Sequence, residues 1–173
     1  MILLVDLHDS DIGMIGLTAK DIPESVKWLR RAADDDYLEA QSVLGVALLL
    51  GRNVDPDKTE AEQFLRKAAQ HGYGRAQNDL GYAIMHGDVP TTNLVESALW
   101  CRLAISHSGD TNLLQRAKIN LASVEARLDT DQLLEVDRRF VKFQPIPVAM
   151  VDPLVKDWEK NPAYHQEDGM FGH

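Results

Sequence analysis

Apolar residues recur at helical spacing along most of the chain. One stripe appears twice, 36 residues apart: Ala40, Leu44, Ala47 and Leu48, then Ala76, Leu80, Ala83 and Ile84. A second inward-facing stripe also appears twice at this offset: Trp28, Leu29, Ala32 and Ala33, then Phe64, Leu65, Ala68 and Ala69. Residues spaced three or four apart lie on one face of an α-helix. The pattern predicts an all-α fold of alternating first and second helices.

The chain repeats itself in a register of 36 residues. When residues 21–51 are aligned with residues 57–87, 13 of the 31 positions are identical, including Arg30/Arg66 and Gln41/Gln77. A third copy keeps the offset, with Glu60/Glu96, Phe64/Trp100, Arg66/Arg102 and His71/His107. One register over three copies is the signature of stacked helical repeats.

Glycines occupy fixed positions in the first two copies. Gly45 and Gly81 fall inside predicted helices, where glycine costs about 1 kcal/mol relative to alanine. We therefore expect another helix to pass too close there for a Cβ atom. Gly51 and Gly87 should end the first helices in the left-handed conformation, and Asp57 or Thr59 should cap the next helix. Asn53 in the intervening loop tolerates a positive φ.

These positions form a recognisable signature. It comprises Ala40-Gln41, Leu44-Gly45, Gly51, Val54, Asp57 and the stretch from Phe64 to Gly72. This signature resembles the Sel1-like repeat, a relative of the tetratricopeptide repeat. The resemblance implies a right-handed α-solenoid of antiparallel helix pairs over about residues 20–143. Such repeats serve many partners, so the resemblance is specific for the fold and weak for function.

The two ends depart from the repeat. Residues 1–19 lack the signature and are interpreted as a degenerate N-terminal cap, since terminal repeats have one side facing water. Residues 20–143 form the solenoid, about three units followed by C-terminal capping helices. Leu114, Ala117, Leu121, Val124 and Leu128 outline the first capping helix. Asp129 and Gln132 predict a capping box for a last helix through about Phe143.

Residues 144–173 form an apolar tail that contains several prolines. Pro145, Pro147, Pro153 and Pro162 interrupt any long helix, while Leu154 and Trp158 are among its apolar residues. The tail either packs back on the solenoid or docks in the groove of this chain or a neighbour. Self-association through residues 144–173 is the corresponding prediction.

The composition limits the classes of function. The chain has 173 residues and a formal net charge of −9, which argues against general nucleic-acid binding and fits a basic or neutral protein partner. The single cysteine, Cys101, is expected to be buried packing. No apolar run is long enough to span a membrane, and Met1–Val5 is too short and lacks the basic start of a signal peptide. We expect a cytoplasmic chain as written, or a periplasmic one if a signal peptide was removed.

No catalytic, cofactor or metal motif is recognisable. The six histidines show no spacing typical of a metal site, and there is no glycine-rich phosphate loop. His71 and His107 are equivalent positions near helix ends, where a cation complements the helix dipole. We therefore predict no catalytic residue, no cofactor and no metal, and a chain that is not an enzyme.

The first helices should line the concave side of the stack. By helical spacing, the side facing the groove carries eight candidate partner-binding residues: Glu39, Ser42, Val46, Leu49, Arg75, Asn78, Tyr82 and Met85. An apolar stripe flanked by polar groups is typical of a protein-binding groove. The alternative is that the tail or a neighbouring helix covers these side chains as core.

Three functions follow from this organisation. The first is a bacterial adaptor that binds a protein or peptide on the concave face. The family resemblance implies an alternative, an immunity protein that neutralises a secreted bacterial toxin. The third is an assembly subunit that oligomerises through its tail.

Overall fold

The computed structural model describes residues 22–147, which form helices joined by turns and contain no strand. In chain order the helices are α1 (Ile22–Asp34), α2 (Leu38–Leu50), α3 (Lys58–Gln70), α4 (Gly74–His86), α5 (Leu94–His107), α6 (Thr111–Glu125) and α7 (Thr130–Lys142). Residues 1–21 and 148–173 lie outside the described part, and with them the predicted N-terminal cap and most of the predicted tail.

The helices stack as a solenoid of antiparallel pairs. Each helix from α1 to α5 packs against the next one along the chain. The first helices α2, α4 and α6 also lie side by side, and the second helices α5 and α7 contact each other. The predicted all-α repeat fold is therefore confirmed.

The core continues from one repeat to the next. One cluster of buried residues joins α1, α2 and α3 through Ala33, Leu44, Leu48 and Phe64. The next cluster, around Leu80 and Trp100, joins the helices from α2 to α5. The cluster after it joins the helices from α5 to α7. Each buried large aliphatic or aromatic side chain contributes about 1.5–3 kcal/mol. Because every cluster spans helices of different repeats, no repeat buries its apolar face alone.

The two helical glycines lie at helix crossings. A Cβ on Gly45 would lie 2.7 Å from Leu65 Cγ and 3.1 Å from the Ala61 carbonyl oxygen of α3. A Cβ on Gly81 would lie 2.7 Å from Cys101 Sγ and 3.0 Å from the Ser97 carbonyl oxygen of α5. The predicted close approach of helices is confirmed at both positions.

The turn residues also behave as predicted. Gly51 and Gly87 end α2 and α4 with φ values of 63° and 73°. Asn53 has a φ of 58°. Of the two candidate caps for α3, the structure selects Asp57, whose carboxylate accepts hydrogen bonds from the amides of Thr59 and Glu60.

The C-terminal capping helices are present at the predicted place. Asp129 accepts from the Gln132 amide, and Gln132 Oε1 accepts from the Asp129 amide, so the predicted capping box is confirmed. The apolar face of α6 differs in detail, because Leu113 and Asn120 are buried together with Ala117 and Val124.

Trp28 corrects the predicted second-helix stripe. Its side chain is 58% exposed, whereas the equivalent Phe64 and Trp100 are buried. Phe64 is covered because it packs in the cluster that joins α1, α2 and α3. The Arg31 guanidinium lies 5.6 Å from the centre of the Trp28 ring.

Gly81→Ala is expected to destabilise the chain by about 1–3 kcal/mol, because the new methyl group must displace Cys101 or the α5 backbone. Urea unfolding followed by circular dichroism measures this loss. Gly109→Ala is the matched control, since a Cβ there meets nothing within 4 Å. Equal stability of the two variants would contradict the close helix crossing.

Candidate protein-binding surface

Three of the eight predicted binding residues are buried between helices. Ser42 is 1% exposed and Asn78 is 0% exposed, and Val46 belongs to the core. Asn78 Oδ1 accepts a hydrogen bond of 3.0 Å from Asn120 Nδ2, which joins α4 to α6. The expected orientation of these three side chains toward a groove is therefore wrong.

Leu49 and Met85 are partly buried. Leu49 packs against two core clusters, and Met85 packs against the cluster that contains Val95 and Val124. The alternative expectation, that a neighbouring helix covers part of the apolar stripe, therefore holds for Leu49 and Met85. The reason is that each first helix packs against the next first helix as well as against second helices, so less of its circumference faces solvent.

Glu39, Arg75 and Tyr82 remain accessible, and they indicate where the exposed face lies. It consists of the exposed rows on α2, α4 and α6, which together are called the first-helix surface. Its residues, all partly or fully exposed, are Glu39, Val43, Ala47 and Leu50; Arg75, Asp79, Tyr82 and His86; and Asn112, Gln115, Ile119 and Ala122. A partner contact at any of the predicted residues stays a prediction.

The first-helix surface combines apolar and charged groups. Leu50 is 40% exposed and Ile119 is 65% exposed. Between them, the rings of Tyr82 and His86 pack against each other at a tilt of 36°, with their centroids 4.2 Å apart. Glu39 and Arg75 border an open hollow at one end of the surface. This arrangement can bind a peptide or protein by apolar contact with a polar rim.

Asp79 is an unusual acid within this surface. Its Oδ1 accepts 3.2 Å from Asn78 Nδ2, while its Oδ2 is buried and has no hydrogen-bond partner among the described residues. Burial raises the pKa of Asp79 to about 6, although Asn78, Arg75 and Arg116 favour the charged form. Arg116 Nε is likewise buried and unpaired among these residues. The site therefore holds opposite charges near each other without a direct ion pair.

Glutamines join each first helix to the preceding second helix. Gln41 Nε2 donates 3.0 Å to the Ala33 carbonyl, and Gln77 Nε2 donates 3.0 Å to the Ala69 carbonyl. Both glutamines are fully buried. In the sequence they are visible only as identical residues at the 36-residue offset, because the hydrogen bonds that they form depend on how the repeats stack.

Arginines join successive second helices in the same way. Arg30 forms two hydrogen bonds with Glu60, of 2.7 and 3.2 Å, and the equivalent Arg66 pairs with Glu96. Arg102 pairs instead with Glu125 and Asp137 of the capping helices. The identities at the 36-residue offset were the sequence signal for these pairs, each of which is worth about 0–1 kcal/mol at a surface.

Cys101 is buried, as predicted. Burial, assisted by the negative charge of Glu125, raises the pKa of its thiol to about 12. A thiol in this environment stays protonated at neutral pH and serves as packing. Within residues 22–147 no group of three or more His, Cys, Asp or Glu side chains is placed to hold a metal ion. None of the helices in this part of the chain is long and apolar enough to cross a membrane.

The fold and the exposed first helices define an α-helical repeat scaffold. The chain belongs to the Sel1 repeat family, whose model matches residues 12–37, 38–73 and 74–108. Repeats of this family are in general protein–protein interaction modules and typically non-catalytic. The division of the chain at residues 19 and 143 stays a prediction.

A solved structure supports the same fold. It is c5321, a protective antigen present in uropathogenic Escherichia coli strains that displays an SLR fold. The two share 24% sequence identity with a TM-score of 0.64, over 83% of this chain and 29% of that one. This chain therefore spans less than a third of the length of that protein, and the likeness shows the fold alone. A comparison with curated protein sequences finds no match.

Asp79→Asn is expected to stabilise the chain at pH 7 by about 1–3 kcal/mol. The folded-state pKa of about 6 lies above the ordinary aspartate value of 3.8, so the folded state binds more protons between these two pH values. The contribution of Asp79 to the unfolding free energy is therefore fully present below its unfolded-state pKa, and it is lost as the pH rises through its folded-state pKa.

The measurement is urea unfolding of wild type and Asp79→Asn from pH 4 to pH 7. The difference in unfolding free energy should grow from near zero at pH 4 to its full value at pH 7. Asp55→Asn, in an exposed loop, is the control and should show no such growth. A difference in unfolding free energy that stays constant from pH 4 to pH 7 would contradict the raised pKa of Asp79.

Proposed function

We propose that this chain binds a protein partner across the first-helix surface. The observation that carries the proposal is the exposure of Leu50 and Ile119 on the helices that flank the Tyr82–His86 ring pair. Single exposed apolar residues are ordinary, but here they lie on three first helices that pack side by side. An elongated ligand that follows the stack would contact all three.

The charges suggest how a partner is oriented. The net charge of −9 attracts basic partners over long range, which raises the association rate more than the affinity. At short range the surface offers both signs, with Glu39 and Arg75 at the same open hollow. A partner that carries both basic and acidic groups would fit these positions better than a purely basic one.

An immunity function is a narrower form of the same proposal, in which the partner is a secreted toxin. It requires the same surface and adds only the identity of the partner. A toxin gene beside the gene for this chain would favour it.

Self-association is a second candidate. Leu134 and Val141 lie seven residues apart on α7 and are 48% and 78% exposed. They occupy the last helix before residues 144–173, the segment that the sequence predicts to self-associate. An apolar face at the end of the stack is where a second copy would continue the core.

The variant Tyr82→Ala with Ile119→Ser is expected to lose partner capture at least tenfold, because aromatic and aliphatic anchors dominate protein interfaces. The immobilised chain would be exposed to an extract of its native organism, and bound proteins identified by mass spectrometry. Thermal melting should change little, since both side chains are partly or fully exposed.

Trp28→Ser is the control, because it removes an exposed apolar side chain from a second helix and lies in neither proposed interface. It should retain capture of the same partner. Met85→Ala is unsuitable, because Met85 packs against the core. Equal capture by the double variant and by Trp28→Ser would reject the first-helix surface as the binding site.

For self-association, light scattering coupled to size-exclusion chromatography should give a mass above that of the 19.3 kDa chain. Leu134→Ser with Val141→Ser, or deletion of residues 144–173, should return the mass to that of a monomer. A monomeric wild type over the whole accessible concentration range would rule out this candidate.

A further inference from the structure

The chain after α7 crosses the turn between α3 and α4. The Phe143 ring meets Trp100 edge-on, with centroids 5.8 Å apart, and lies 6.0 Å from the His107 ring. Pro145 then lies over Gly72, where a Cβ would come within 3.3 Å of the proline ring. Residues 143–147 are called the C-terminal latch. The latch thus joins the end of the described chain to the second repeat.

Ile146 holds the latch by both of its main-chain groups. Its amide donates 2.9 Å to the Gln70 carbonyl at the end of α3. Its carbonyl accepts 2.8 Å from His71 Nδ1. Since a carbonyl can only accept, His71 carries its proton on Nδ1. The bonds involve the backbone of Ile146, whose own side chain is 49% exposed.

The equivalent histidine in the next repeat has a different partner. His107 Nδ1 lies 3.0 Å from Gln77 Oε1, thirty residues earlier in the chain. Gln77 Nε2 already donates to Ala69, so its Oε1 must accept from His107. This hydrogen bond joins a buried glutamine to the end of the following second helix.

His71 and Gln41 stand in the same relation, also thirty residues apart. Gln41 Nε2 donates to Ala33 as Gln77 Nε2 donates to Ala69, so the two amides are oriented alike. Nevertheless Gln41 Oε1 is buried without a hydrogen-bond partner among the described residues. A buried acceptor left unpaired is unfavourable, and here the donor that would satisfy it is bonded to the latch.

His71 has one proton on Nδ1 and two acceptors that compete for it. We propose that the C-terminal latch is releasable, and that on its release His71 turns to donate to Gln41 Oε1, as His107 donates to Gln77. Docking of the latch and pairing of His71 with Gln41 then exclude each other. Release loses the contacts of Ile146 but satisfies a buried acceptor in the core.

The latch also borders the first-helix surface. Gly72 and His107, which contact the latch, line the same open hollow as Glu39 and Arg75. Release would therefore uncover one wall of that hollow. The conformational change itself is independent of the proposed partner and can be tested without one.

The test compares Ile146→Pro with Ile146→Ala in the full-length, isotope-labelled chain. Proline removes the amide that donates to Gln70, whereas alanine keeps both main-chain groups. Nuclear Overhauser contacts between the His71 ring and the Gln41 side chain are the readout. The His107–Gln77 contacts in the same sample are the internal reference.

Ile146→Pro should produce His71–Gln41 contacts like those of the reference pair, and Ile146→Ala should not. Phe143→Ala, which removes the ring that packs on Trp100, should release the latch independently and give the same contacts. If neither variant brings His71 to Gln41, whether the ring stays at residue 146 or turns to solvent, the proposal is overturned. Contacts in Ile146→Ala equal to those in Ile146→Pro would also overturn it.

Discussion

The close crossing of α2 over α3 and of α4 over α5 is the constraint on which the rest of the structure depends. At Gly45 and Gly81 the absence of a side chain lets Leu65 and Cys101 fill the space that a Cβ would occupy. The distance between helices is then short, and the small residues Ala61 and Ser97, whose carbonyl oxygens face the two glycines, are buried at the contact. A larger residue at either glycine would separate the helices and disturb the packing that follows.

Polar interactions then set the register from one repeat to the next. The glutamine bonds to Ala33 and Ala69 act inside the stack, and the pairs Arg30–Glu60 and Arg66–Glu96 act at its surface. Each donor or acceptor has a counterpart 36 residues away. The break in this symmetry, at His71, occurs where the chain after α7 reaches the stack. The position of the last helix is therefore coupled to a hydrogen bond in the second repeat.

The local pattern predicted the elements better than it predicted the surface. The helix-ending glycines, the Asp129 capping box and the close approach at Gly45 depend on residues near each other or on a direct helix pair, and each is confirmed. Ser42 and Asn78 were expected to face a groove because helical spacing places them opposite the apolar stripe. In the structure a neighbouring first helix covers that face, and Asn120 satisfies Asn78. A helical wheel drawn for one helix shows its apolar and polar faces, but it does not show which other helices pack against each face.

By itself the sequence determined the period, the helices, their caps and the family, because these depend on spacing within about 36 residues. Only the tertiary structure decided which side of each first helix stays exposed, since that depends on how the repeats stack. It also decided that Trp28 lies in solvent while its equivalents are core, and that His71 serves the C-terminal latch instead of Gln41. In each case identical or similar residues differ only in their neighbours. Packing from outside the repeat therefore decides what an otherwise equivalent side chain does.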